Sequence, residues 1–109
     1  GNIKHAQFSL NGQLFAAMES SGPHAFTFNE GVSLVIPCDD QQEIDYYWDK
    51  LTEGGAESQC GWLKDKYSVS WQVVPSILGK LMSDPAKSDR VMKVVMKSVK
   101  LNIEELENA

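Results

Sequence analysis

The sequence predicts a mixed α+β domain, and three observations carry that reading. Asn11-Gly12 divides two apolar segments, Asp40 and Glu43 open a periodic apolar stripe, and the alternating stretch Val69 to Val74 gives way after Pro75 to helix formers. The first is a hairpin signal, the second a capped helix, and the third a strand followed by a helical tail. With 109 residues, 42% hydrophobic and 23% charged, the chain has the composition of one folded domain. A chain of this size buries roughly two thirds of the surface its unfolded form exposes, so its core needs no disulfide or metal as a staple.

In chain order, Ala6, Phe8 and Leu10 alternate before Asn11-Gly12, and Leu14-Phe15-Ala16-Ala17-Met18 resumes after it. Asn-Gly suits a type I′ turn because both residues tolerate positive φ, so two antiparallel strands are expected over residues 4–18. Ser20-Ser21-Gly22-Pro23-His24 is turn-rich, and Phe26 and Phe28 alternate with Thr27 and Asn29, which reads as a loop with short strand character. Val32 to Cys38 is short, β-branched and interrupted by Pro37, as in a buried strand. Asp40 and Glu43 have capping-box spacing, Ile44, Tyr47, Trp48 and Leu51 fall on one stripe, and Gly54-Gly55 supplies a stop. A helix over 40–54 follows.

Ser58 to Leu63 and Val69 to Val74 flank a polar turn and read as a second hairpin closed by Pro75. Ser76 to Met82 predicts a short apolar helix, and Asp84-Pro85 a helix start with Val91, Val94, Val95 and Val99 on its apolar stripe. Lys87, Asp89, Arg90, Lys93, Lys97 and Lys100 read as the solvated face. Asn102 and Glu105 repeat the cap spacing for a last short helix.

Fifteen acidic against ten basic side chains give a formal charge of -5, the wrong sign for neutralising phosphates along a nucleic acid or an anionic bilayer. No apolar run approaches the roughly 18 residues of a membrane span, and the N-terminus has no signal-peptide core. No nucleic acid and no membrane are therefore expected as partners. Cys38 and Cys60 suit neither a disulfide framework nor a zinc site, which fits a reducing, cytoplasmic setting.

From Gly22 onward the residues become specific: Gly22-Pro23-His24, Phe26 to Glu30, Val32 to Cys38, Asp45-Tyr46-Tyr47-Trp48, Gln59-Cys60-Gly61-Trp62-Leu63-Lys64-Asp65-Lys66-Tyr67, and Trp71 to Pro75, extended by Arg90-Val91-Met92 and Lys100 to Leu106. Together they resemble the PhnB-like proteins, also designated demethylubiquinone methyltransferase, of the glyoxalase, bleomycin-resistance and dioxygenase (vicinal oxygen chelate) superfamily. The resemblance implies βαβββ modules, each curling its sheet around a ligand on the concave face. Here it implies one complete module, 32–74, plus part of the first in the hairpin over 4–18, with C-terminal helices beyond. The first module would lack its opening strand and helix. After Tyr67 the family usually has glycine, and Ser68 stands there, which implies an altered turn.

Metalloenzymes of the superfamily point His, Glu or Gln side chains inward, so His5, Glu19, His24, Glu30 and Gln72 are the available donors. The strand over 32–38 adds only Ser33 and Cys38, and the ligand pattern is not met. No cofactor is expected, with a divalent metal as the alternative. His24 could project into the cavity as a donor or general base, but the plainer reading is a loop histidine pinning backbone. Trp48 belongs to the core, whereas Trp62 and Trp71 either pair across the hairpin or face the cavity. His24, Trp62, Trp71 and Gln72 are thus the pocket candidates, and no catalytic residue is assigned. Cys60 resembles a reactive thiol with Lys64 nearby, but buried and inert is the preferred reading of both cysteines. A methyl-donor site of Rossmann type would need a strand, a glycine-rich turn and a helix, and no such segment exists.

Three functions follow: a small-molecule-binding protein or degenerate enzyme with its ligand on the concave sheet face, an active metal-dependent lyase or dioxygenase, or a structural dimerisation module. A single complete module leaves sheet edges to cover, so a homodimer is expected.

Overall fold

Asn11 and Gly12 adopt φ of 50° and 83°, the left-handed pair that a two-residue hairpin turn demands. They join β1 (His5–Leu10) to β2 (Gln13–Met18) with Leu10 opposite Gln13 and Phe8 opposite Phe15. The computed structural model describes residues 4–19 and 22–109, so what the sequence predicts for Gly1 to Ile3 and for Ser20 and Ser21 lies outside the described residues. Phe26 and Phe28 form no strand and are exposed in an irregular stretch.

The second sheet is built from β3 (Ser33–Cys38), β4 (Ala56–Glu57), β5 (Trp62–Lys64) and β6 (Ser70–Pro75), in the order β3-β6-β5-β4. β3 runs parallel to β6, and the other two pairings are antiparallel. The crossover from β3 passes through α1 (Gln41–Thr52), which makes one complete βαβββ unit of the expected α+β class. Of the predicted strand over 58–63 only Trp62 and Leu63 are strand; β4 lies before it, and residues 58–61 turn between β4 and β5. Cys60 and Gly61 take φ of 61° and 85°, and their N–H groups donate to the carbonyls of Ser98 and Val99 at 2.7 and 2.8 Å, so this turn is fixed by the distant C-terminal chain. β3 is also less buried than its composition predicts. As an edge strand it tolerates Pro37, and its Val35 is 55% exposed on the sheet face opposite α1.

α1 begins as predicted: Asp40 Oδ1 accepts from the N–H of Glu43 at 2.8 Å, while Glu43 Oε1 accepts from Asp39 N–H at 3.1 Å. Gly54 follows the helix at φ 75°. Ile44 and Trp48 drop into the sheet against Cys38, Leu63 and Val73, and each large side chain buried this way contributes roughly 1.5–3 kcal/mol. The Trp48 indole N–H does not go unpaired, since it donates to Glu57 at 2.6 Å.

The C-terminal part forms α2 (Leu78–Met82), α3 (Ser88–Lys97) and α4 (Ile103–Glu107). Asp84-Pro85 does not start α3. Asp84 Oδ1 accepts from Ala86 N–H and spends its capping capacity on a turn, so the helix opens four residues after Asp84, at Ser88. Val99 lies beyond α3 and is 39% exposed, so the stripe is carried by Val91, Val94 and Val95. They pack with Leu101 and Leu106 into a second core against Cys60 and Val74. Lys100 is not part of a solvated helix face, because it pairs with Asp45 of α1 at 2.9 Å. Gln41 completes the attachment: its Nε2 donates to Leu101 O at 3.1 Å, and its Oε1 accepts from Ile103 N–H at 2.8 Å.

The whole measures 54 × 29 × 23 Å with a radius of gyration of 16.5 Å, against about 13 Å for a compact chain of this length. The β1–β2 hairpin is the cause, projecting from the rest and meeting it only sparsely, with Leu14 and Met18 exposed. Among the described residues no helix is long and apolar enough to cross a membrane.

Candidate functional site

The β5–β6 register decides which side chains can meet. Trp62 lies opposite Gln72, Leu63 opposite Trp71, and Lys64 opposite Ser70. Because side chains alternate along a strand, Trp62, Lys64, Ser70 and Gln72 share one sheet face, while Leu63, Trp71 and Val73 share the other. The second face is the one α1 covers. Trp62 and Trp71 therefore do not pair across the hairpin, and Trp71 stands on the α1 side. Its indole N–H donates to Asp65 Oδ2 at 2.9 Å, and Asp65 Oδ1 accepts from the N–H groups of Tyr67 and Val69, which ties the hairpin turn to the core.

The face away from α1 is a mixed surface, closed at its Val74 end by the second core. Gln72 Nε2 donates to Ser33 Oγ at 2.9 Å, bridging β6 to β3, and Val35 lies beside them. Lys64 Nζ meets Glu30 Oε2 at 2.6 Å, with both side chains more than a third exposed. That hydrogen bond, helped by Glu30's own backbone N–H and the nearby positive charge, holds the Glu30 carboxyl below its ordinary range. Ser70 is only 2% exposed, and its hydroxyl is a buried side-chain oxygen without a hydrogen-bond partner among the described residues. Such an orphan costs about 1–3 kcal/mol in lost hydration. Glu30, Ser58, Trp62, Leu63, Lys64 and Ser70 line a cleft of about 330 Å³, at the lower end of the range for small-molecule sites.

Of the four pocket candidates, Trp62 and Gln72 share the open face, and Trp62 lines this cleft. Trp71 instead reaches a larger cleft of about 720 Å³ on the α1 side, between β3 and the hairpin residues Leu10 and Phe15. His24 joins neither; it is exposed in the loop, its ring stacked on Phe26 at 4.6 Å. Lys64 and Ser70 are the site residues that sequence reasoning missed. The signal was present in the alternation Trp62-x-Lys64, which places both on one face once the strand is recognised.

Among the described residues no three His, Cys, Asp or Glu side chains gather as a metal-sized cluster. His5 and Glu19 belong to the projecting hairpin, His24 to the loop, Glu30 is engaged by Lys64, and Gln72 by Ser33. The donor set does not fit the divalent metal that the superfamily resemblance implies. Nor do the glycines fit a methyl-donor cradle, since the Gly54-Gly55 pair follows a helix instead of leading into one. Of the cysteines, Cys38 is fully buried, and desolvation together with the carboxylates of Glu43, Asp39 and Asp40 pushes its thiol up to about 11. Cys60 is half-buried, with Sγ 3.9 Å from Met96 Sδ.

Residues 1–74 match the family described as 3-demethylubiquinone-9 3-methyltransferase. Five solved chains match, among them a PhnB protein from Bacillus cereus that carries the same methyltransferase designation. It is 40% identical, with a TM-score of 0.66 over 69% of this chain and 66% of its own length. The chain thus spans slightly less than two thirds of that relative. No curated protein matches.

Proposed function

This chain belongs to the PhnB-type, 3-demethylubiquinone-9 3-methyltransferase-like family of the glyoxalase superfamily, and from that premise we propose that it is a small-molecule-binding protein with its ligand on the open face of the four-stranded sheet. The observation that carries the reading is the part of the face away from α1 that the second core leaves open. A flat indole, Trp62, shares a cleft with the polar groups of Lys64 and Ser70, and Gln72 stands on the same sheet face, which is the mixture of apolar wall and few polar contacts usual for ligand sites.

A homodimer belongs to the same reading. Leu14, Met18, Phe26, Phe28, Val32 and Val35 are all exposed, and β3 keeps one unpaired edge. A second copy would cover these surfaces, and light scattering at the monomer mass would overturn that part.

The ligand site is tested by a fragment library read through thermal stability, with Trp62→Phe as the reporter variant. Binders should raise the melting temperature by mass action and lose several-fold affinity in the variant. Binding that ignores Trp62→Phe, or no binder at all, would refute the open-face site.

A further inference from the structure

Resting on the open-face reading, we propose that the ligand taken there is an organic anion with a flat apolar body, its charged group exchanging with Glu30 for Lys64 and reaching the Ser70 hydroxyl. Three features of the cleft converge on that chemistry. Lys64 is the cation lining it, on a strand whose neighbours hold it in register with Ser70. Ser70 offers a nearly buried hydroxyl with no hydrogen-bond partner among the described residues, and an ionised acceptor forms stronger hydrogen bonds than a neutral one. Trp62 supplies the apolar wall two residues from Lys64, on the same face.

Glu30 already shows what Lys64 binds. Its carboxylate sits 2.6 Å from Nζ, so the cleft holds a carboxylate in the place proposed for the ligand's own. Glu30 is a weak occupant. It comes from the irregular segment before β3, and 64% of its side chain is exposed. An exposed pair of this kind contributes little, so an anion that adds the Ser70 hydroxyl and the Trp62 surface displaces it. Glu30 then acts as a stand-in that keeps Lys64 neutralised until the ligand arrives. A cationic ligand held by Glu30 would make no use of the donors on β5 and β6.

The test compares 2-naphthoate with 2-naphthamide, which share a ring system and differ in charge, by titration calorimetry on the full chain. The acid should bind at least tenfold tighter than the amide and weaken as NaCl is raised. Lys64→Met should erase that preference, and Glu30→Gln should tighten the acid about fivefold while leaving the amide unchanged. Ser70→Ala should weaken the acid several-fold without lowering the melting temperature, because it removes an unpaired hydroxyl; a purely structural Ser70 would not move the affinity. Equal binding of acid and amide, or weaker acid binding in Glu30→Gln, would overturn the anion proposal and leave the open-face site standing. Failure of both probes to bind, or binding insensitive to Trp62→Phe, would refute the open-face reading itself.

Discussion

Gly55 gives the sharpest stability test of the packing between α1 and the sheet. It lies between the end of α1 and β4, and a Cβ built there would come within 2.1 Å of the Lys64 carbonyl oxygen and within 3 Å of Asp65 backbone atoms. Those atoms are backbone, held by β5–β6 pairing and by the Asp65 turn, so they cannot rotate away. Restoring ordinary contact in Gly55→Ala requires the two segments to part by about 1.3 Å, which strains or breaks the pairing of Ala56 with Lys64. Overpacking of this sort plus a lost ladder contact costs about 2–3 kcal/mol. At roughly 4 °C per kcal/mol for a chain of this size, the melting temperature should fall by about 10 °C. Gly79→Ala is the control, since it lies within α2 with open space where its methyl would go. There the gain in helix propensity, up to about 1 kcal/mol, should raise the melting temperature by a few degrees. Thermal unfolding followed by circular dichroism measures both. If Gly55→Ala melts within a degree or two of the parent, the close approach of helix end to β5 is wrong.

Other perturbations follow from the same geometry. Ser68 sits at φ 71°, so Ser68→Gly should relieve a left-handed non-glycine residue and stabilise the chain by about 1 kcal/mol in a denaturant titration; a loss would show that the hydroxyl does something the backbone does not. Cys60 should react with Ellman's reagent in the native state at pH 8 while Cys38 stays protected until unfolding, and fast labelling of two thiols per chain would contradict the buried thiol with its raised pKa. Hydrogen bonds from Lys100, and then Gln41, hold the Asp45 carboxyl below its ordinary range. Its contribution is therefore complete above the unfolded pKa of about 3.9 and fades as pH falls through the lower folded value. Lys100→Met should lower stability near pH 6 by at most about 0.5 kcal/mol, the pair being half exposed, and the deficit should shrink below pH 4. A deficit that grows on acidification would reverse the assigned sign.

The elements that local chemistry specifies were legible in the sequence, and those that depend on a distant partner were not. Asn11-Gly12 and Asp40 with Glu43 carry their own backbone instructions, and hairpin and helix form where these residues place them. The turn at Cys60-Gly61 takes its positive φ values while donating to carbonyls nearly forty residues away, so no local pattern marks the break between β4 and β5. The candidate site was legible only in part, for a related reason. Alternation tells that Trp71 and Val73 share a face, but which face Trp62 joins depends on how many residues the turn consumes, and a shift of one would exchange the two sides. With Lys64 paired to Ser70, Trp62 falls with Gln72, and Trp71 goes under α1. A buried hydroxyl without a partner has no sequence signature at all, which is why Ser70 emerged only from packing.

Gln41 also bears on the order in which this protein is made. Residues 33–75 contain every strand of the four-stranded sheet, and a ribosome adding roughly 5–20 residues per second completes that stretch seconds before Ile103 is joined. Throughout that interval the side chain at the start of α1 has neither Leu101 O nor Ile103 N–H to bond, and the turn at Cys60-Gly61 lacks the carbonyls of Ser98 and Val99. Helix start and turn are thus fastened only once a clasp encoded some sixty residues downstream of the helix it closes has been made.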